Sequence, residues 1–331
     1  MSVPANIGVR FSSKLKGLSR DTSWLFGLNQ SFFRKSRGAR MLVYHGICVH
    51  DHLRFNTLFL KLKTFESQLQ LYKKYFNLVS LDDFYQQKFS NDKFNICLTF
   101  DDGFANNYKY VLPLLEQYQV PAAFFITGIR NADYDILWND IMSISYRYGP
   151  SKIVFKNEEF VKGKDKKYIS SSTHNRLVDM LRLTEFEDKA ALIEILNPFK
   201  NRAESDYWLQ MTEEQIRTLS GSKWTTVGSH GYYHNDLARI SVASAKEEII
   251  KSKQYLEKIT GKEIKALAFP YGSYSKEVVN EAKNAGYLEL LATEFLFPDD
   301  AIDPTLRERF TINPLISNIN QIHANITGNY K

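Results

Sequence analysis

The apolar positions from residue 41 onward fall into two alternating patterns. Short unbroken runs such as "RMLVYHGI" (40–47), "FNICLTF" (94–100) and "VPAAFFITG" (120–128) are too short for helices and rich in branched and aromatic side chains, which predicts buried strands. Between them, "TFESQLQLYKKYF" (64–76) and "NNYKYVLPLLEQYQ" (106–119) space their apolar residues by three and four, as a helix does, and Thr64 stands where the first would be capped. The alternation returns later, with helices at "TEEQIRTLSG", "SVASAKEEIIKSKQYLEKITG" and "SKEVVNEAKNAG" and strands at "WTTVGSH", "IKALAFPYG" and "YLELLAT". Strands separated by such helices build a parallel sheet, closed or open, whose site lies at the carboxyl ends of the strands. Between residues 131 and 213 the pattern lapses into a polar segment with weaker helical runs, "HNRLVDMLRL" and "FEDKAALIEIL". This segment is expected to be an insertion over one rim of the barrel rather than a separate domain.

With 331 residues, 44% of them hydrophobic, the chain can bury one large core. Cys48 and Cys97 lie far apart and in no ligand or framework spacing, which predicts folding without disulfides in a reducing compartment. The start of the chain lacks the continuous apolar stretch of a secretory signal, and no run approaches the ~18 apolar residues of a membrane span, so a cytoplasmic location is expected. The net charge of +6 is unevenly spread. Residues 1–40 hold eight Lys and Arg against Asp21 alone, and the rest of the chain is close to neutral. Interleaved with these cations are Leu18, Trp24, Leu25, Phe26, Leu28, Phe32 and Phe33. That mixture suits an anionic bilayer, at about 1 kcal/mol per basic residue near the lipid. It predicts peripheral attachment at the inner face of the membrane through this arm, with a solvated or partly docked arm as the alternative. Nothing in the arm resembles a base-reading module, so no nucleic-acid partner is expected.

Two adjacent acids, Asp101 and Asp102, leave the strand "NICLTF" at its carboxyl end and meet Gly103, which permits a tight turn. Carboxylates this close are not both ionised cheaply unless a cation or a donor separates their roles. Taken alone, Asp-Asp-Gly is more often a solvated turn. A second strand end changes the weighting, because "VGSHGYYHNDL" places His230 and His234 four residues apart, a spacing at which both imidazoles can reach one point. Two histidines and a carboxylate form a set suited to a catalytic divalent ion. At a third strand end, in "LAFPYGSYS", Pro270 fixes the chain and Gly272 relaxes it, so that the Tyr271 backbone N–H can be aimed at a developing oxyanion.

Together "TFDDG", "SHGYYH" and "FPYG", in this order, resemble the polysaccharide deacetylases of the NodB-homology group, carbohydrate esterase family 4, over roughly residues 41–320. The resemblance implies a distorted (β/α)7 barrel within residues 41–331 that removes N-acetyl groups from the amino sugars of a cell-surface polysaccharide, or of its lipid-linked or sugar precursor, with a divalent metal. Carried over by position, Asp102, His230 and His234 would hold the metal, and Asp101 would be the general base. Zinc suits that set first, with cobalt, manganese, iron and nickel as alternatives. Pro270 and Tyr271 would shape the substrate site, with the Tyr271 N–H on the oxyanion. Many members carry an arginine two residues before the proline of the third motif. Here that position is Ala268, and Arg309 in "LRERFTI" is the expected substitute. The usual late Leu-x-His element is not evident. Instead "VYHGI" (43–47) resembles the opening of the poly-N-acetylglucosamine deacetylase branch, whose motifs are permuted, which implies His45 as the general acid rather than His323.

Other polar residues carry less. His50, His52 and His174 sit in polar loops and are expected to be solvated. Trp138, beside Asp140 in "ILWNDI", is a candidate for a sugar subsite or, equally, a buried anchor of the insertion. Two further functions stay open at this level: a deformylase of a lipid-linked amino sugar, and a non-catalytic glycan-binding module on the same fold.

Overall fold

The computed structural model describes residues 7–330, so the first six residues of the basic arm and Lys331 lie outside it, as do the side chains up to residue 14. Its centre is a ring of parallel strands: β1 (Ala39–Tyr44), β2 (Asn95–Phe100), β3 (Ala122–Ile126), β4 (Thr225–Ser229), β5 (Ala266–Ala268), β6 (Glu289–Ala292), β7 (Leu306–Glu308) and β8 (Phe310–Thr311). They pair in chain order from β1 to β7, and β8 pairs with β1. β7 and β8 are one strand interrupted at Arg309, so a single stave joins β6 on one side to β1 on the other and closes the ring. Counted by staves, this is the expected (β/α)7 barrel. Asn77–Leu78 adds a short parallel pairing beside β2.

β2 is buried along its whole length, as a strand covered on both faces must be, and so reads as an unbroken apolar run. Its alternation separates two cores. Ile96, Leu98 and Phe100 pack outward with Leu42, Tyr44, Phe65 and Leu69. Cys97 packs inward with Met41, Ala123, Phe125, Ala268 and Leu291. The period of two therefore sends Thr99 and Asp101 into the barrel, directly above Cys97. Both cysteines are buried and free.

The helices form where the pattern placed them, with differences at their ends. Val242–Thr260 is capped by the Ser241 hydroxyl, which accepts from the Ser244 N–H, and stops at Gly261, whose φ of +64° suits glycine. The first barrel helix starts at Leu62, two residues before Thr64, with no side-chain cap. "NNYKYVLPLLEQYQ" divides into a π-helical turn (Asn107–Val111) and an α-helix (Leu112–Tyr118), and Pro113 sits in the first turn of the latter, where its missing N–H is tolerated.

Between β3 and β4 the chain builds a helix, Trp138–Tyr148, a three-stranded antiparallel sheet (Lys152–Phe155, Glu158–Lys162, Tyr168–Ser170) and a second helix, Phe186–Leu196. Trp138, Ile141, Phe160, Leu177 and Leu192 form a core that also takes in Phe59 and Phe104 from the barrel loops. The sheet was not anticipated. Its strands are three to five residues long, too short for alternation to stand out from the surrounding charge. The N-terminal arm is helical over Ile7–Leu25 and Gln30–Lys35 and lies against the last helix, Asn318–Thr327. Phe33 is buried against Tyr75, Asn320 donates to the Gly17 carbonyl at 3.1 Å, and the Ser317 hydroxyl donates to Asp21.

Candidate active site

The carboxyl ends of β1, β2 and β4 and the turn after β5 meet at one end of the barrel, around a cleft of about 820 Å³. His45, Asp101, Asp102, His230, His234 and Tyr271 all line it. The β1–β2 register pairs Tyr44 with Phe100, and the Asp101 N–H donates to the Tyr44 carbonyl at 3.0 Å, so His45 and Asp101 leave adjacent strands at the same level. Asp102 follows in a left-handed conformation (φ +75°), which turns a second carboxylate toward the same opening. Gly103 is also left-handed, and a Cβ there would stand 2.9 Å from Ile126. His234 and Tyr271 are left-handed too, at +58° and +60°. Three such non-glycine residues at one site is backbone strain of the kind that functional sites concentrate.

The two acids have separate partners. Asp101 is gripped by Arg309 through two bonds, Nη1 to Oδ1 at 2.7 Å and Nη2 to Oδ2 at 2.8 Å. Arg309 also donates to Thr99 Oγ1 at 3.2 Å, and its guanidinium lies over the Phe125 ring. It reaches this position because it occupies the break between β7 and β8. Burial by itself would raise the Asp101 carboxyl, but Arg309, with His230, holds it below the usual carboxylate range. Asp102 Oδ1 lies 3.3 Å from His230 Nε2 and 3.1 Å from His234 Nε2. Those two imidazoles outweigh the burial that would raise Asp102 and keep it well below its ordinary value.

Asp102, His230 and His234 offer one oxygen and two nitrogens, all within 4.8 Å of one another and all buried. Ligand atoms about 2.1 Å from a tetrahedral zinc ion stand roughly 3.4 Å apart, so the spacing fits a divalent ion with little movement. The outer contacts fit as well. His230 Nδ1 lies 2.8 Å from the Ala268 carbonyl, which can only accept, so Nδ1 carries a proton and Nε2 is the nitrogen left to ligate an ion beside Asp102. His234 Nδ1 lies 3.2 Å from the Tyr271 hydroxyl.

Behind the histidine loop is a buried polar network that the sequence motifs did not indicate. Glu248, on the helix after β4, accepts from the backbone N–H groups of Tyr232 (3.2 Å) and Tyr233 (3.0 Å) and from Asn235 Nδ2 (2.6 Å). Lys189, from the insertion, donates to Asn235, and burial brings its ammonium down to about 8. Arg182 donates to buried Asp236 at 2.7 Å and covers the Tyr271 ring. Asp140 also lines the cleft, with Oδ2 buried and unpartnered, and burial followed by the nearby Asp102 charge pushes its carboxyl well up.

Two candidate substrate contacts lie away from the cleft lining. Trp138 is not among the cleft residues. It is buried beneath the histidine loop, donates from its indole N–H to the His234 carbonyl at 3.3 Å, and carries the Lys189 ammonium over its ring. Pro270 is buried in the turn and is not among the cleft residues, so it shapes the backbone rather than touching a ligand. His323 lies outside the cleft, stacked on Phe32 at 5.1 Å. His50 and His174 are exposed and His52 is half-buried.

A parallel barrel of seven staves with these groups at its carboxyl rim is a NodB-type barrel. The polysaccharide deacetylase family model matches residues 88–153 and 169–290, more than half of the sequence, and the chain belongs to that family. Among solved structures it is similar in fold to the Streptococcus pyogenes deacetylase PplD in complex with acetate, at 18% identity and a TM-score of 0.57, covering 87% of this chain and 97% of that one. A polysaccharide deacetylase from Bacillus cereus aligns at 19% identity and a TM-score of 0.53, covering 87% and 68%. IcaB from Ammonifex degensii aligns at 15% identity and 0.52, covering 88% and 98%. No curated protein matches the chain.

Proposed function

We propose that this chain hydrolyses the N-acetyl group of an amino sugar in a cell-surface glycan or its precursor, with a divalent ion held by Asp102, His230 and His234. The observation that carries the reading is the division of labour between adjacent acids: Asp102 faces two imidazoles while Asp101 faces Arg309. A bound ion would supply Lewis acidity to the acyl oxygen and to the attacking water. Asp101, ionised through the neutral range, accepts the proton of that water, and Arg309 fixes which way the carboxylate points. His45, level with Asp101 on the neighbouring strand, donates a proton to the leaving amine. The Tyr271 N–H stabilises the oxyanion, and the Tyr271 ring, against His234, orients that imidazole. Acetate release from N-acetylhexosamine substrates, with and without chelator, tests the reading, and formate release from an N-formyl analogue would move it to a deformylase.

The basic arm supports a peripheral position on an anionic membrane at its inner, cytoplasmic face. Although docked, it leaves Leu25, Phe26 and Leu28 exposed at 82%, 75% and 70%, within reach of Arg34, Lys35 and Arg37 in the sequence. No helix among the described residues is long and apolar enough to cross a membrane.

A further inference from the structure

The cleft is electrostatically two-ended. Its floor holds the carboxylates and imidazoles described above. Its mouth is lined by Arg54, Arg147, Lys166 and Lys167, which come from three separate segments: the loop after β1, the end of helix Trp138–Tyr148, and the turn before strand Tyr168–Ser170. None of these four is ion-paired among the described residues. The acid at the mouth, Asp165, already stands 3.3 Å from Arg176. Arg54 is held in place, donating to the Tyr148 hydroxyl at 2.7 Å and lying over the Phe55 ring, while its Nε is buried with no acceptor. Arg147 lies over the other ring of that wall, Tyr148.

Four cations without ion-pair partners at one opening create a positive potential there that draws in an anion. Arginine forks match phosphate oxygens two at a time, and lysines add point charge without fixing direction. A neutral hexosamine polymer offers this mouth only hydroxyl acceptors, without the charge that makes such hydrogen bonds strong. We propose that the substrate is an N-acetylamino sugar carrying a phosphate or diphosphate, with the acetamido group on the floor and the phosphate at the Arg54–Arg147–Lys166–Lys167 mouth. This rests on the deacetylase reading and names its substrate class. The phosphate could come from a nucleoside diphosphate sugar or from a lipid diphosphate sugar, since both present the same group to the mouth.

The test uses the full chain loaded with zinc. Acetate release is compared for a nucleoside diphosphate N-acetylhexosamine, a polyisoprenyl diphosphate N-acetylhexosamine in phosphatidylcholine vesicles, and neutral N-acetylhexosamine oligomers. At low salt, kcat/KM should favour one of the phosphorylated substrates by about 10-fold or more, the scale of one lost hydrogen bond to a charged group. The preference should shrink as salt rises. Lys166→Gln/Lys167→Gln and Arg147→Gln should raise KM for that substrate with little change in kcat, and Lys166→Arg/Lys167→Arg should restore it. Turnover confined to the vesicle substrate assigns the phosphate to a lipid, and turnover of the soluble one assigns it to a nucleotide. Equal or better turnover of neutral oligomers, or a preference that survives the glutamine variants, overturns the inference and leaves the deacetylase reading standing. Acetate from none of the three overturns both.

Discussion

Asp101 and Asp102 are neighbours in the chain with different partners, so their variants should fail differently. Asp102→Asn should weaken metal binding, whereas Asp101→Asn should keep the metal and lower the rate by about 10²-fold or more, the usual cost of a lost general base. Metal content by equilibrium dialysis beside turnover separates the two, and an Asp101→Asn protein that loses metal would reverse the assignment. The role of Arg309 shows in the pH dependence. Arg309 holds the Asp101 carboxyl below its ordinary value, so the group contributes stability above the unfolded value near pH 3.9 and loses it as pH falls through the folded value. Arg309→Gln removes the strongest of the groups that oppose burial at Asp101. It should move the acid limb of kcat/KM to higher pH and destabilise the protein by roughly 3–5 kcal/mol at neutral pH, a deficit that narrows in acid. A limb that stays in place would show that Arg309 does not set the charge of Asp101. For the acid, His45→Ala should cost about 10² to 10⁴-fold in turnover with metal content unchanged, while His323→Ala, stacked on Phe32 away from the cleft, should cost little.

At the scale of elements, the site depends on turns that admit few substitutions. A Cβ at Gly272 would stand 2.0 Å from Thr293 Oγ1 in a residue whose φ is +65°, so Gly272→Ala should lower both stability and turnover, read by denaturant midpoint and acetate release. Glu248→Ala should leave the barrel folded but loosen the histidine loop, lowering metal affinity by about 10-fold or more, as lost outer contacts do. The strands and the three strand-end motifs were legible because each is local: an apolar run followed within a few residues by Asp101, His230 or Pro270. What supports them was not. Lys189 lies on a short helix whose apolar and charged residues are poorly segregated in sequence, Glu248 on one rich in charge, and each acquires its role by being buried against the histidine loop. Arg309 could be named as a stand-in for the arginine missing at Ala268. How it reaches Asp101, through a break in the closing strand, is a property of the ring and not of any segment. Trp138 shows the converse, since its sequence suits a sugar platform and a core anchor equally, and burial decides for the anchor.

For the whole molecule, the docked arm and the open cleft make separate claims. The arm should carry the protein to acidic vesicles, with binding that falls as salt rises, and Leu25→Ser/Phe26→Ser/Leu28→Ser should abolish cosedimentation without changing turnover of a soluble substrate. Salt-insensitive binding, or binding kept by the triple variant, would remove the arm from that role. The barrel's claim is that its activity runs through an ion held by one carboxylate and two imidazoles. The most direct measurement pairs zinc stoichiometry with acetate release on the same samples: chelated, reconstituted, and Asp102→Asn/His230→Gln. The account predicts one ion per chain and acetate release that disappears on chelation, returns with zinc, and is absent together with the ion in the double variant. Acetate release that persists after chelation, or in a double variant that holds no ion, would contradict it.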